Sequence, residues 1–247
     1  MKIFIDAGHN FSGFNTGAAA NGMREQDITF SVSAHLARFL AQAGVTVKLS
    51  RPTLETNLGH DNASAINARP QMANDWGADY FISIHVNAGG GTGAETIFGR
   101  EDSRKFAQTV QDIYSAEMGL RNRRIWLRED IAVVRQTKMP AILVETAFID
   151  APAGSVDLEI LRNGHLEMAE ALAKGIFEYT GINPAPQPKP TSTPERLNTL
   201  EEMPEWAKPT IKKLINKGFL AGTGQGLDLS LDMVRIFVIH DRAGLYS

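Results

Sequence analysis

No cysteine occurs among the 247 residues. That excludes disulfides, thiolate metal ligands and a cysteine nucleophile, so any metal must be held by His, Asp or Glu. Charge of one sign is lacking too, with 25 Lys and Arg against 28 Asp and Glu. So neutral a chain has no bulk positive field to draw it onto nucleic acid, which is excluded as an expected partner. No apolar run approaches the roughly 18 residues of a membrane span, so no transmembrane segment is expected. The N-terminus has neither the cationic region nor the apolar stretch of a secretory signal, and the expectation is a chain made in the cytoplasm.

Proline is scarce except in one place. Five of the eleven fall in GINPAPQPKPTSTPE, residues 181–195, which holds nothing able to build a core. This stretch reads as an extended linker, able to separate two domains by up to about 45 Å in polyproline conformation. The boundaries expected are therefore a large domain at 1–180, the linker at 181–195 and a small module at 196–247.

In the large domain, β-rich runs alternate with helical patterns. KIFIDAG, VTVKLSR, ADYFISIHVNA and PAILVETAFI read as strands. Between them, Ile28, Val32, Leu36, Phe39 and Ala43 recur at helical spacing, as do Phe106, Val110, Ile113 and Tyr114. A stretch through ASAINARPQMANDW reads as helix broken or restarted at Pro70, and DLEILRNGHLEMAEALAKGIFEYTG as one long closing helix. The alternation predicts an α/β fold with a largely parallel or mixed central sheet flanked by helices on both faces, plus a small, mainly helical C-terminal domain.

In open α/β sheets ligands bind beyond the carboxyl ends of the strands. Three such ends carry a polar, metal-capable residue: His9, His85 and Glu145. Glu25 opens the first helix, where a carboxylate is favoured electrostatically even without a metal. Spacing alone leaves a metal site and a set of ordinary turn and cap residues both open, because no short ligand motif joins these positions.

The motifs DAGHN, REQDI, LSR, ARPQMANDWGADYFISIHVNA, GAET and MPAILVETAFID, in that order, resemble the zinc-dependent N-acetylmuramoyl-L-alanine amidases of the Amidase_3 type over about residues 1–180. The resemblance implies Zn²⁺ as cofactor, His9, Glu25 and His85 as its ligands, Glu145 as the catalytic glutamate, and bacterial peptidoglycan as substrate and partner. It departs from the family at Asn10, where a second glycine is frequent, at Arg124, where glycine is common, and after Phe148-Ile149, where DAPAG replaces Ser-Asn. The charge arithmetic agrees with a base at Glu145: two imidazoles and one carboxylate leave zinc one net positive charge and an open position, which a second carboxylate ligand would remove.

Glu95 is the rival base, read otherwise as a residue at a strand start that binds backbone. Asn87, two residues beyond His85, is a candidate for orienting the substrate amide, and Asp6 for holding the outer nitrogen of His9, or each is a turn residue. Arg123 or Arg124 is a candidate for stem-peptide carboxylates within the arginine run 121, 123, 124 and 128, which otherwise reads as a solvated face. His35, His60, His165 and His240 read as structural or exposed. In the C-terminal module Trp206, Ile211, Leu214, Ile215 and Phe219 read as a core, and the WAK…LI.KG spacing looks like half of an S-layer-homology repeat. Wall binding is the expected role, with a homodimer through this module as the second and a passive stabilising tail as the third.

These expectations describe a phage or prophage endolysin that acts on the wall after release across the membrane. A zinc peptidase cutting within the stem peptide and a non-catalytic wall-binding protein are the alternatives.

Overall fold

The computed structural model describes residues 1–184, 196–222, 226–242 and 246. The chain divides into two compact units, 1–185 and 186–247. Most of the proline-rich stretch, residues 185–195, lies outside the described residues.

In the larger unit the order is β1 (Lys2–Ala7), a short hairpin of β2 (Ala19–Ala20) and β3 (Met23–Arg24), α1 (Glu25–Gln42), β4 (Thr46–Leu49), α2 (Asn62–Trp76) and β5 (Tyr80–Asn87). Then come β6 (Ala94–Phe98), α3 (Arg104–Glu117), β7 (Asn122–Leu127), α4 (Ala132–Arg135), β8 (Ala141–Phe148), α5 (Val156–Asn163) and α6 (His165–Thr180). Six strands form one sheet in the order β4-β1-β5-β8-β6-β7. The first four run parallel, whereas β6 is antiparallel to β8 and parallel to β7, so the sheet is mixed.

The strands alternate their burial between two layers, as a sheet covered on both faces must. Ile3, Ile5, Ile82, Ile84, Ile142 and Val144 pack on the side of α1, α3 and α6. Phe4, Phe81, Leu143 and Ile97 face the opposite way and pack with Ala73 of α2 and Val133 and Val134 of α4. The same alternation sends Asp6, His85 and Glu145 to the α2/α4 side.

Several sequence expectations change here. The strands at 94–98 and 122–127 escape the apolar-run reading, because GAETIFG is glycine-rich and NRRIWL is charged; pairing of β6 with β8, and of β7 with β6, makes them strands. Helix α2 runs unbroken through Pro70, whose ring is buried. The closing helix is two helices, α5 and α6, interrupted at Gly164. In the hairpin, Asn21 and Gly22 at φ 52° and 75° make the two left-handed positions of a type I′ turn.

In the smaller unit, α7 (Lys208–Asn216) and α8 (Leu231–Arg242) pack around Met203, Ala207, Ile211, Leu229, Val234 and Val238. Leu197 and Leu229 form an antiparallel bridge, and Asp241 accepts from Lys213 Nζ at 2.7 Å and Thr210 Oγ1 at 2.8 Å. Two of the five residues expected in this unit's core, Ile211 and Leu214, are buried, whereas Trp206, Ile215 and Phe219 are 45%, 37% and 64% exposed. Helical spacing gave one stripe, and α8 buries only part of it. No helix among the described residues is long and apolar enough to cross a membrane.

Candidate metal and catalytic site

The site begins where β1 ends. His9 sits at φ 66°, a left-handed conformation costly for a side chain with a Cβ. Two buried arginines hold that turn in place. Arg69 of α2 donates to Asp6 Oδ1 at 2.5 Å, the Ala7 carbonyl at 2.7 Å and the His9 carbonyl at 2.6 Å. Arg51 donates to the carbonyls of Gly8 at 3.2 Å and Gln26 at 3.0 Å, tying the turn to the first turn of α1. Both arginines stand inside the quoted motifs, but nothing in their spacing shows that they are buried or what they hold.

Across this turn, the carboxylate of Glu25 meets two imidazoles. His9 Nε2 lies 3.0 Å and His85 Nδ1 3.1 Å from Glu25 Oε1. The Glu25 side chain is fixed from both ends, Oε1 accepting from the Val86 amide at 2.9 Å and Oε2 from the Ala18 amide at 2.9 Å. Burial by itself would raise the Glu25 pKa, but hydrogen bonds to His85 and His9 outweigh it and hold the carboxyl far below the usual carboxylate range. Burial pushes His85 down, towards the neutral imidazole that a metal needs.

Two glycines make room for the cluster. A Cβ on Gly17 would fall 2.6 Å from Glu25 Oε2 and 2.9 Å from the His9 ring, and one on Gly8 would fall 2.6 Å from His85 Nε2.

One donor atom from each of His9, Glu25 and His85 falls within 4.8 Å of the other two, and among the described residues this is the one such group. A tetrahedral zinc site with bonds of about 2.1 Å sets its donors roughly 3.4 Å apart, close to the 3.0 and 3.1 Å that separate Glu25 Oε1 from the two imidazole nitrogens. Two imidazoles and a carboxylate also leave a fourth position open, so the cradle fits the ion.

Beside the cradle a row of polar side chains crosses the sheet. His85 is in register with Glu145, and Glu145 with Glu95 on the other flank. The two glutamates differ sharply. Glu95 accepts from Asn87 Nδ2 at 2.9 Å through one oxygen and from Arg123 Nε at 2.9 Å through the other. Glu145 Oε2 is buried without any hydrogen-bond partner. Burial first, then the charges of Glu25 and Glu95, push the Glu145 carboxyl up to about 8. His9, Glu25, His85, Asn87 and Glu145 line a crevice of about 460 Å³ whose apolar lining includes Ile66, Ile97, Ile131, Val133 and Leu143.

The remaining expected residues fall as follows. Asp6 does not hold His9: it is paired with Arg69 and accepts from Ser83 Oγ at 2.7 Å, which leaves His9 Nδ1 without a partner. Asn87 is committed to Glu95 and to the Ala88 amide, whereas Arg123 gives Glu95 only its Nε. Glu95 binds side chains, not backbone. Asn10 brackets Leu58, donating to its carbonyl and accepting from its amide at 3.0 Å each, and so fastens the loop after β4 to the turn that carries His9, a contact glycine does not make. Arg124 lies at φ 79°, which is why a glycine suits that position. His165 is held by Ser31 and the Leu161 carbonyl, and His240 by Tyr246, so neither joins the site.

Comparison with known proteins agrees with this geometry. Residues 3–178 match the N-acetylmuramoyl-L-alanine amidase family, Amidase_3. A sporulation-specific N-acetylmuramoyl-L-alanine amidase of Bacillus subtilis (strain 168) is 34% identical over 193 residues, covering 70% of this chain and 70% of that protein. An endolysin of Bacillus phage SPP1 is 29% identical over 220 residues, covering 82% of this chain and 77% of that one. The crystal structure of an N-acetylmuramoyl-L-alanine amidase from Clostridium difficile 630 superposes with a TM-score of 0.63 at 29% identity, covering 73% of this chain and 96% of that one. With a mixed six-stranded sheet, a His-Glu-His cradle at its carboxyl edge and a family match across its larger unit, the chain belongs to the N-acetylmuramoyl-L-alanine amidases.

Proposed function

We propose that the chain cleaves the amide between N-acetylmuramic acid and L-alanine in bacterial peptidoglycan, with His9, Glu25 and His85 holding one zinc ion and Glu145 carrying the proton. The observation that bears most weight is the buried, unpartnered Oε2 of Glu145 beside the cradle. A zinc ion there supplies Lewis-acid polarisation of the scissile carbonyl and acidifies water towards a pKa of about 7.

The chain's own groups do the rest. Glu145 has an oxygen free to take the proton of the attacking water and to return it to the departing amine, without which an amide nitrogen leaves poorly. Glu95 cannot take that role, because both its oxygens are engaged. Arg123 keeps its two Nη groups for a carboxylate of the peptide stem. Asn87 acts through Glu95, holding it against Arg123.

For delivery we infer the endolysin route, in keeping with the phage relative that matches along most of the chain. The unit at 186–247 then serves as a wall-binding module, and tethering raises the effective concentration of enzyme at the wall. Homodimerisation through that unit is the competing role. Sedimentation with purified walls against gel filtration of the unbound protein separates the two.

The reading is tested by digesting purified peptidoglycan and identifying products by mass spectrometry, with and without chelator. The expected result is release of stem peptides with a free L-alanine amine, no new reducing sugar, loss on chelation and return with zinc. Release of an amine from within the stem would make the protein a peptidase, and no products at all a wall-binding protein.

A further inference from the structure

Next to the polar row lies an apolar one. Leu143 of β8 is in register with Ile97 of β6, and Ile97 with Trp126 of β7. Partnered residues point to the same face of a sheet, so Trp126 stands on the α2/α4 side with Ile97 and Leu143, both of which line the crevice. Its neighbours Ile125 and Thr96 obey the same rule on the other side, Ile125 packing on the α1/α3/α6 core and Thr96 bonding Gln111 of α3. The floor of the crevice therefore continues outward to the edge strand and ends on an indole.

That indole is left open. It is 50% exposed, and among the described residues it has no ring or cation stacked on it, in contrast to Trp76, which has Phe4 and Lys2. A large aromatic face left open costs free energy unless something covers it. Two strand spacings across the sheet and two residues along it, about 12 Å in all, separate it from Glu145, so a substrate that extends outward from the reacting amide reaches it.

We propose that Trp126 is a stacking platform for a sugar ring of the glycan strand, placed beyond the sugar that carries the scissile amide. The inference rests on the amidase reading and identifies where its substrate's carbohydrate lies. The chemistry favours a sugar over the peptide stem. A pyranose presents a flat C–H face suited to an indole and a rim of hydroxyls suited to neighbouring donors. The stem's carboxylates are instead drawn to Arg123 in the polar row. The occupant also follows from continuity, because the indole extends the floor of the crevice in which the amide is cut.

The test uses the full chain and does not depend on turnover. The three tryptophans give three indole N–H resonances, and that of Trp126 is assigned by its disappearance in Trp126→Phe. Peptide-free glycan oligosaccharide from the wall is titrated into the protein, followed by a stem peptide lacking sugar. The expected result is a saturable shift of the Trp126 resonance with the glycan and none with the stem. A response of Trp206 alone, of no indole, or of Trp126 to the stem peptide but not the glycan would overturn the proposal.

A second measurement compares kcat/KM on long and short glycan muropeptides. Trp126→Ala should lower the long-to-short ratio about fivefold to tenfold, and Trp126→Phe, which keeps an aromatic face, should restore most of it. An unchanged ratio in Trp126→Ala counts against the platform. Failure of hydrolysis with the Trp126 shift intact would instead remove the amidase reading and leave a glycan-binding surface.

Discussion

Two neighbouring strands use the same side chain for opposite ends. At the outer flank, on β6 and β7, Glu95 is tied by Asn87 and Arg123, and a satisfied carboxylate of this kind is structure. At the centre, on β8, Glu145 is in register with Glu95 yet has a buried oxygen with no partner. Buried polar groups are almost always paired, so an unpaired one next to a metal cradle marks the place where chemistry is done. The contrast also explains why composition alone does not pick the base: both residues are glutamates on strands, and only their neighbours separate them.

The largest effect is expected from breaking the cradle. Glu25→Ala should lose zinc, measured by metal analysis, and lower the hydrolysis rate by roughly 10³-fold or more, since the ion's contribution is worth several kcal/mol. Full activity with zinc retained would separate Glu25 from the metal.

Next comes stability against pH in the chelated protein, which sharpens the contrast between the two glutamates. The folded pKa of Glu145 lies above its ordinary value, so its contribution is fully present below about 4.5 and is lost as pH rises to about 8. Glu25 is shifted the other way, and its contribution is lost only as pH falls below the carboxylate range. Urea unfolding at pH 5 and pH 8.5 should show wild type losing a few kcal/mol more than Glu145→Gln over that interval. Parallel curves for the two proteins would contradict the burial of an uncompensated carboxyl.

A smaller effect belongs to the flank. Glu95→Gln keeps the shape but weakens the hold on Arg123, and should cost less than about tenfold in kcat/KM, mainly through KM. A loss as large as that expected for the central glutamate would reverse the assignment of the two. The smallest is Arg124→Gly, which relieves a left-handed residue and should stabilise the fold by about 0.5–1 kcal/mol in thermal unfolding.

The sequence made the parallel half of the sheet legible because KIFI, FISI and AILV are apolar runs that only a doubly covered strand can use. It hid β6, which follows a glycine-rich stretch and becomes a strand through pairing with β8, and β7, which carries two arginines and pairs with β6. The positions of His9, Glu25 and His85 at the ends of elements leave a metal site and ordinary turn and cap residues both open, and it is the family resemblance that points to the cradle. Its supports stay hidden, since Arg51 and Arg69 look like surface residues until the fold closes over them. Trp206, Ile215 and Phe219 show the converse: helical spacing marks an apolar stripe but not how much of it a short partner helix covers.

The most direct test is made on one sample of Glu145→Gln protein loaded with zinc, in which metal content and single-turnover cleavage of a muramyl peptide are both measured. One zinc per chain with a rate about 10²-fold or more below wild type is the expected outcome for a proton carrier that does not bind the metal. A rate near wild type, or a chain that no longer retains zinc, would contradict it.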